Sequence, residues 1–158
     1  MNKQPVALPG LSPREAALDA YYRMAWAFDY NDWDLFKPAC ATNTEVRFHI
    51  GENNIHYIGI DEIRAKLFDV VSALDTQHIA TNARVHLEPD GKTGRMWIMA
   101  LNQHYRKGQQ AKAGSPRLWG GNKYMIDMVE ALCSPSKAPL IFLPAMCAYL
   151  VSFPSLRS

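Results

Sequence analysis

Two long β-prone runs, residues 76–87 and 93–106, are joined by Glu88-Pro89-Asp90-Gly91-Lys92. Proline, aspartate and glycine are the residues that tight turns select, so these runs predict one long antiparallel hairpin. A final strand is expected within 123–130. A shorter hairpin is expected at 44–58, where Val46, Phe48 and Ile50 alternate, Gly51-Glu52-Asn53-Asn54 supplies the turn and 55–58 returns. Helices precede and interrupt these strands. Ser12-Pro13-Arg14-Glu15 combines an N-cap hydroxyl, a proline in the first turn and a carboxylate three residues after the cap, opening a helix that runs towards Asn31. Leu18, Tyr21, Tyr22, Ala25, Trp26 and Asp29 recur along it at three- and four-residue steps, which puts Asp29 on the apolar stripe. Asp32 caps a short second helix whose Trp33 and Phe36 form the buried side, and Pro38 limits its length. Ile60, Ile63, Leu67, Val70, Val71 and Leu74 predict a third helix. Helices on one face of a curved antiparallel sheet make an α+β domain.

The 158 residues, 48% hydrophobic and 20% charged, suit one globular domain. A net charge of +2 with scattered Lys and Arg offers no footprint for phosphate backbones, so nucleic acid is not expected as a partner. Cys40, Cys133 and Cys147 are an odd set without C-x-x-C spacing, which argues against a disulfide framework or a structural zinc site and fits a reducing, cytoplasmic location. Residues 1–11 read as a flexible lead-in lacking the basic and apolar regions of a secretory leader. The domain is expected over 12–130. Residues 138–156 carry no charge, but Pro139, Pro144 and Pro154 break them into pieces too short to span a membrane, so 131–158 reads as an apolar, proline-broken tail.

The chemistry rests on Asp29, His78 and His104. Alternation along a strand puts His78 on one side with Ala80, Asn82, Arg84 and His86, and His104 with Ala100, Asn102 and Arg106. Small neighbours leave room for a ligand. If both histidines face inward beneath the first helix, Asp29 can accept a hydrogen bond from one ring, setting its tautomer and raising its basicity. An imidazole with an ordinary pKa of about 6.5 can take a proton next to a carbonyl and return it to a departing hydroxyl, which is elimination of water or isomerisation. Against this stands the plainer possibility that each histidine is a satisfied structural residue, that Asp29 caps its helix and that Tyr30 merely buries its ring. His49, His56 and His86 are read as structural or exposed. No H-x-D or H-E-x-x-H spacing supports a metal, and none is expected.

Phe28-Asp29-Tyr30-Asn31-Asp32-Trp33-Asp34, Gly59-Ile60-Asp61-Glu62-Ile63, Thr76-Gln77-His78-Ile79-Ala80-Thr81-Asn82 and Asn102-Gln103-His104 resemble, in order and spacing, the SnoaL-like branch of the NTF2-like superfamily close to scytalone dehydratase, over about 12–129. The resemblance implies a cone-shaped α+β barrel, with a curved antiparallel sheet wrapped around N-terminal helices, an internal hydrophobic cavity, and often a dimer or trimer built on the sheet's outer face. It implies a cofactor-free dehydratase or isomerase for a small cyclic, oxygenated metabolite such as an aromatic polyketide, with Asp29, His78 and His104 as the acid–base set. The same fold also hosts cyclases, in which Asp29 alone does the proton work, and non-catalytic ligand-binding or dimerisation modules.

Several positions depart from the dehydratase pattern. Its tyrosine precedes the aspartate, whereas here Phe28 precedes and Tyr30 follows, and its carbonyl-polarising first-strand tyrosine has no equivalent around Phe48. Tyr30, Phe48 and Asn102 are carried as substrate-binding residues. Asn122, after Gly120 and Gly121, matches the family's substrate-binding asparagine, and Tyr124 or Asp127 is expected to line the pocket beside it. The family commonly ends in a strand bearing a tryptophan, whereas this chain passes into its proline-broken tail, which predicts an irregular sheet edge.

Overall fold

The structure, a computed structural model, describes residues 4–6, 8–40, 47–50, 55–129 and 145–151, with 47–50 and 145–151 described in their backbone. The first helix, α1 (Pro13–Tyr30), begins with the expected reciprocal cap. Ser12 accepts the Glu15 N–H, and the Glu15 carboxylate accepts the Ser12 N–H at 2.7 Å. Its last turn closes on Asn31 in the left-handed conformation, φ 53°. The buried stripe is displaced from the one the periodicity suggested: Ala17, Ala20, Tyr21, Met24, Ala25 and Phe28 face the sheet, whereas Tyr22, Trp26 and Tyr30 are exposed. Asp29 therefore lies on the flank of the helix. The short α2 (Trp33–Phe36) is capped by Asp32, whose carboxylate accepts the Leu35 N–H at 3.1 Å, and a 3-10 turn, Lys37–Ala39, ends it.

The predicted third helix is present but is not uniform. Two α-helical pieces, α3 (Ile60–Ile63) and α4 (Asp69–Val71), flank a π-helical stretch, Arg64–Phe68. A wider turn shifts the facing of every later residue. Phe68 is thereby driven fully into the core and Val70 turned out to solvent, the reverse of what an unbroken period predicts for Val70. Phe68 packs against Phe28, Phe36 and Trp33 with ring centroids 5.0–5.5 Å apart, the aromatic centre that joins the helices.

Six strands form one sheet in the order β2-β1-β6-β5-β4-β3: β1 (Arg47–Ile50), β2 (Ile55–Ile58), β3 (Asp75–Leu87), β4 (Thr93–Tyr105), β5 (Arg117–Val129) and β6 (Ala145–Val151). Pairing is antiparallel except between β1 and β6, which run parallel. The helices cover one face, giving the α+β architecture expected. Two expectations are corrected. The last long strand starts at Arg117, well before 123, because Gly120 and Gly121 stay in the ladder instead of ending it. Residues 145–151 of the supposed tail form β6, bonded to β5 on one side and β1 on the other, so this stretch lies inside the sheet. A short apolar run bounded by prolines is as good a strand as a tail, and hydropathy alone does not separate them. The turn at 51–54 and residues 44–46 lie outside the described residues. No helix among the described residues is long and apolar enough to cross a membrane.

On the inner face the long strands change chemistry along their length. In β4 the buried series is Met96, Ile98, Ala100 and Asn102, followed by His104; in β5 it is Met128, Ile126, Tyr124 and Asn122. One end of the sheet is thus a dry core. The other end is a polar floor.

Candidate active site

The floor is shaped by β3, β4 and β5, whose register pairs His78 with Asn102 and Asn102 with Gly120. A cavity of about 200 Å³ stands over these residues. Tyr21, Met24, Ala25 and Phe28 of α1 roof it, Leu67 and Val71 close one side, and His78, Asn102, His104, Asn122 and Tyr124 supply its polar groups. Ala25 and Gly120 also line it and, having little or no side chain, fill little of its space.

His78 is the most constrained of these groups. Asp29 Oδ1 lies 2.6 Å from its Nδ1, and Asp29 Oδ2 accepts its backbone N–H at 3.0 Å. Thr76, two residues earlier on the same face, donates its hydroxyl to Asp29 Oδ1 at 2.8 Å. Asn31 Oδ1 accepts the Ser72 hydroxyl at 2.9 Å, so the end of α1 is tied to the approach to β3 twice, at Ser72 and at Thr76. The carboxylate is mostly buried behind the ring, in a separate outer groove that it shares with Trp26, Tyr30, Gln77 and Gln110. His78 alone of the expected acid–base set borders both spaces. With Nδ1 given to Asp29, its Nε2 is the nitrogen left for a ligand.

His104 meets His78 edge to face, with ring centroids 5.4 Å apart and planes at 77°. Its Nδ1 is buried without a hydrogen-bond partner. Burial pushes its pKa down from 6.5 to about 4, and the neighbouring His78 adds to the fall while Asp29 opposes it. His104 is therefore uncharged at neutral pH, and the two histidines are not equivalent. Sequence reading gave both the same acid–base role; the carboxylate behind His78 and the burial of His104 set them apart.

Asn102 and Asn122, both nearly inaccessible, donate their amide nitrogens to the Tyr124 hydroxyl at 3.0 and 2.9 Å. Burial raises the Tyr124 pKa, against the opposing effect of the two amide bonds. Tyr21, whose ring centre is 6.0 Å from that of Tyr124, is likewise held neutral by burial.

The remaining expected site residues are elsewhere. Tyr30 stacks on Trp26 at 5.1 Å and is 45% exposed, outside the cavity, because it follows the α1 flank rather than its buried stripe. Asp127 faces outward and pairs with Arg95 across the sheet. Phe48 falls in β1 opposite Tyr57, and its side chain lies outside the described residues. His86 and Arg84 are not on the His78 face: at Asn82, φ 55°, the β3 ladder slips between Thr81 and Arg84, and beyond it Ala83, Val85 and Leu87 turn inward. A bulge of this kind inverts the alternation. Sequence reasoning missed Thr76, Leu67, Val71 and Met24. Thr76 had a signal, since i and i+2 share a strand face. Among the described residues no cluster of three His, Cys, Asp or Glu is gathered to hold a metal ion.

A model of the SnoaL-like domain matches residues 10–131. The chain is 36% identical over 127 residues to "Terrestric acid biosynthesis cluster protein E" of Penicillium crustosum, covering 80% of this chain and 78% of that one. Among solved structures it is similar to a candidate dehydratase of the NTF2-like family from Streptomyces avermitilis, with TM-score 0.68, 12% identity and coverage of 88% and 97% of the two chains. A candidate scytalone dehydratase from Novosphingobium aromaticivorans gives TM-score 0.66, 12% identity and coverage of 89% and 84%. At such identities the likeness is one of fold. The family model and the Penicillium relative go further: this chain belongs to the SnoaL-like domain family, on an NTF2-like fold.

Proposed function

We propose that this protein is a small-molecule dehydratase that removes water from a cyclic, oxygenated metabolite such as an aromatic polyketide. The observation that carries the reading is a cavity-lining imidazole backed by a carboxylate at 2.6 Å, with a further hydroxyl and a backbone N–H fixing that carboxylate. A base so oriented takes a proton at Nε2, and the resulting imidazolium is balanced by Asp29. In the step proposed, His78 removes the hydrogen next to a ketone, the C–H electron pair becomes the new C=C bond, the C–O bond at the β-carbon breaks, and the departing hydroxyl receives the same proton as water. His104, neutral, offers a hydrogen bond to the departing oxygen. Asp29 does not reach the cavity and acts as a positioning residue. The chemistry calls for no cofactor. The biosynthetic cluster in the name of the Penicillium crustosum relative supports a small metabolite as the ligand.

The test is conversion of β-hydroxytetralone to naphthol, followed by naphthol fluorescence. Wild-type protein is expected to accelerate it, and His78→Ala to lose about 10²-fold or more. Wild-type turnover no faster than buffer across a panel of cyclic β-hydroxyketones ends the reading.

A further inference from the structure

A phenol has one hydrogen to give and two lone pairs to fill. At Tyr124 the two lone pairs face Asn102 Nδ2 and Asn122 Nδ2, and no acceptor for the hydroxyl hydrogen is found among the described residues. The oxygens of both amides, Asn102 Oδ1 and Asn122 Oδ1, are buried without partners. Turning either amide round gives the phenol hydrogen an acceptor but leaves that amide's NH2 group unpaired, so in every arrangement the cluster keeps a donor without an acceptor. All three side chains line the cavity, and they are 3%, 7% and 9% exposed. Buried polar groups are rarely left unpaired, so an unfilled set facing a cavity calls for a partner from within it, a water or a ligand group.

We propose that Tyr124, held by Asn102 and Asn122, donates a hydrogen bond to a ketone oxygen of the bound metabolite and is a catalytic residue. The proposal rests on the dehydratase reading and names the group its substrate must present. Tyr124 lies on β5, two strands across the sheet from His78 on β3, so one molecule over the floor can meet both. When His78 takes the α-hydrogen, the electron pair moves towards the ketone and the charge on its oxygen is met by the Tyr124 O–H. The pair then returns to form the double bond as the β-hydroxyl leaves. Tyr124 keeps its proton throughout. Two amide donors on the phenol oxygen pre-orient the O–H, so little reorganisation is needed as charge develops.

The probe is α-tetralone, with tetralin as the same ring system lacking the oxygen. Tyr124→Phe is expected to weaken tetralone binding about tenfold, leave tetralin binding within about twofold, and raise the infrared carbonyl band of bound tetralone towards its position in an apolar solvent. A residue that only fills space would weaken both ligands alike. An unchanged band in Tyr124→Phe, equal losses for both ligands, or no saturable tetralone binding overturns the proposal. Should the variant not fold, the wild-type protein suffices: a bound carbonyl band no lower than in apolar solvent overturns it too. None of these readouts needs turnover. Carbonyl binding through Tyr124 without dehydration retires the dehydratase reading alone, and dehydration with an unmoved band retires the Tyr124 assignment alone.

Discussion

Asp29 grips His78 with both carboxylate oxygens, Oδ1 at 2.6 Å from the ring Nδ1 and Oδ2 at 3.0 Å from the backbone nitrogen. The ring is thus fixed in rotation and in tautomer by one residue of α1. In Asp29→Asn the carboxamide keeps its size, but its NH2 group can donate to Nδ1 and move the ring proton to Nε2, turning a base into a donor. Turnover of β-hydroxytetralone should then fall by about 10²- to 10⁴-fold, close to the loss in His78→Ala, with KM little changed. A variant within threefold of wild type would mean that Asp29 serves the helix end and not the reaction.

His104 titrates in a window of its own. Its pKa falls from 6.5 to about 4 on folding, chiefly through burial. Between those values the unfolded chain binds a proton that the folded chain refuses, so the stabilising balance is complete above 6.5, declines as pH falls, and levels off below about 4. Part of the ring remains accessible, which screens the effect and keeps it modest. Thermal midpoints across this range should decline more steeply for wild type than for His104→Asn. Parallel curves would show that another group governs the acid limb.

How much of this was legible in the sequence follows from which signals are local. Ser12 and Glu15 announce α1 because capping is decided within four residues, and the 88–92 turn announces the hairpin for the same reason. Asp29, His78 and His104 could be named because a carboxylate at a helix end and histidines amid β-prone residues are unusual in themselves. The sequence does not display what depends on one backbone conformation: the left-handed Asn82, the π-helical turn before Phe68, and Gly120-Gly121 continuing a strand. The first two move the facing of everything after them. That is why Arg84 and His86 share a face with His78 by simple alternation but not in the fold; the amide–phenol cluster of Asn102, Asn122 and Tyr124 depends instead on the pairing of β4 with β5, which neither strand displays alone.

The Asn82 bulge makes a prediction about stability. A left-handed backbone is tolerated by asparagine and glycine and resisted by β-branched side chains. Asn82→Gly should leave the melting temperature nearly unchanged, whereas Asn82→Val should cost about 1–2 kcal/mol. Deleting Asn82 should be far worse, since Ala83, Val85 and Leu87 would exchange faces with Arg84 and His86. Equal midpoints for the valine and glycine variants would remove the bulge from the account of how β3 divides site from core.

At the far end of the same hairpin, Gly94 admits no side chain. A Cβ there would sit 2.4 Å from the His86 carbonyl oxygen and 3.0 Å from Leu87 Cδ2, and the backbone oxygen cannot move aside. Gly94→Ala should therefore destabilise by about 1–3 kcal/mol, read from urea midpoints with an unchanged m-value. Gly120 is the contrast, since its added Cβ meets only the Asn122 amide at 3.7 and 3.8 Å. Gly120→Ala should fold normally.

The outer face of the sheet carries the last prediction. Ile79, Trp97, Met99, Leu101 and Trp119 are 41–48% exposed, and the register places Ile79 beside Leu101 and Gln103 beside Trp119, so they form one apolar surface on the side opposite the cavity. A surface of this kind is ordinarily covered, and a second copy of the chain offers the same aromatic-rich face in return. Light scattering should give the mass of a dimer or trimer for wild type and of a monomer for Trp97→Glu with Met99→Glu. Because these side chains point away from His78 and Tyr124, tetralone binding per chain should survive the split. A monomeric wild type at tens of micromolar would leave the face without a partner in its own kind.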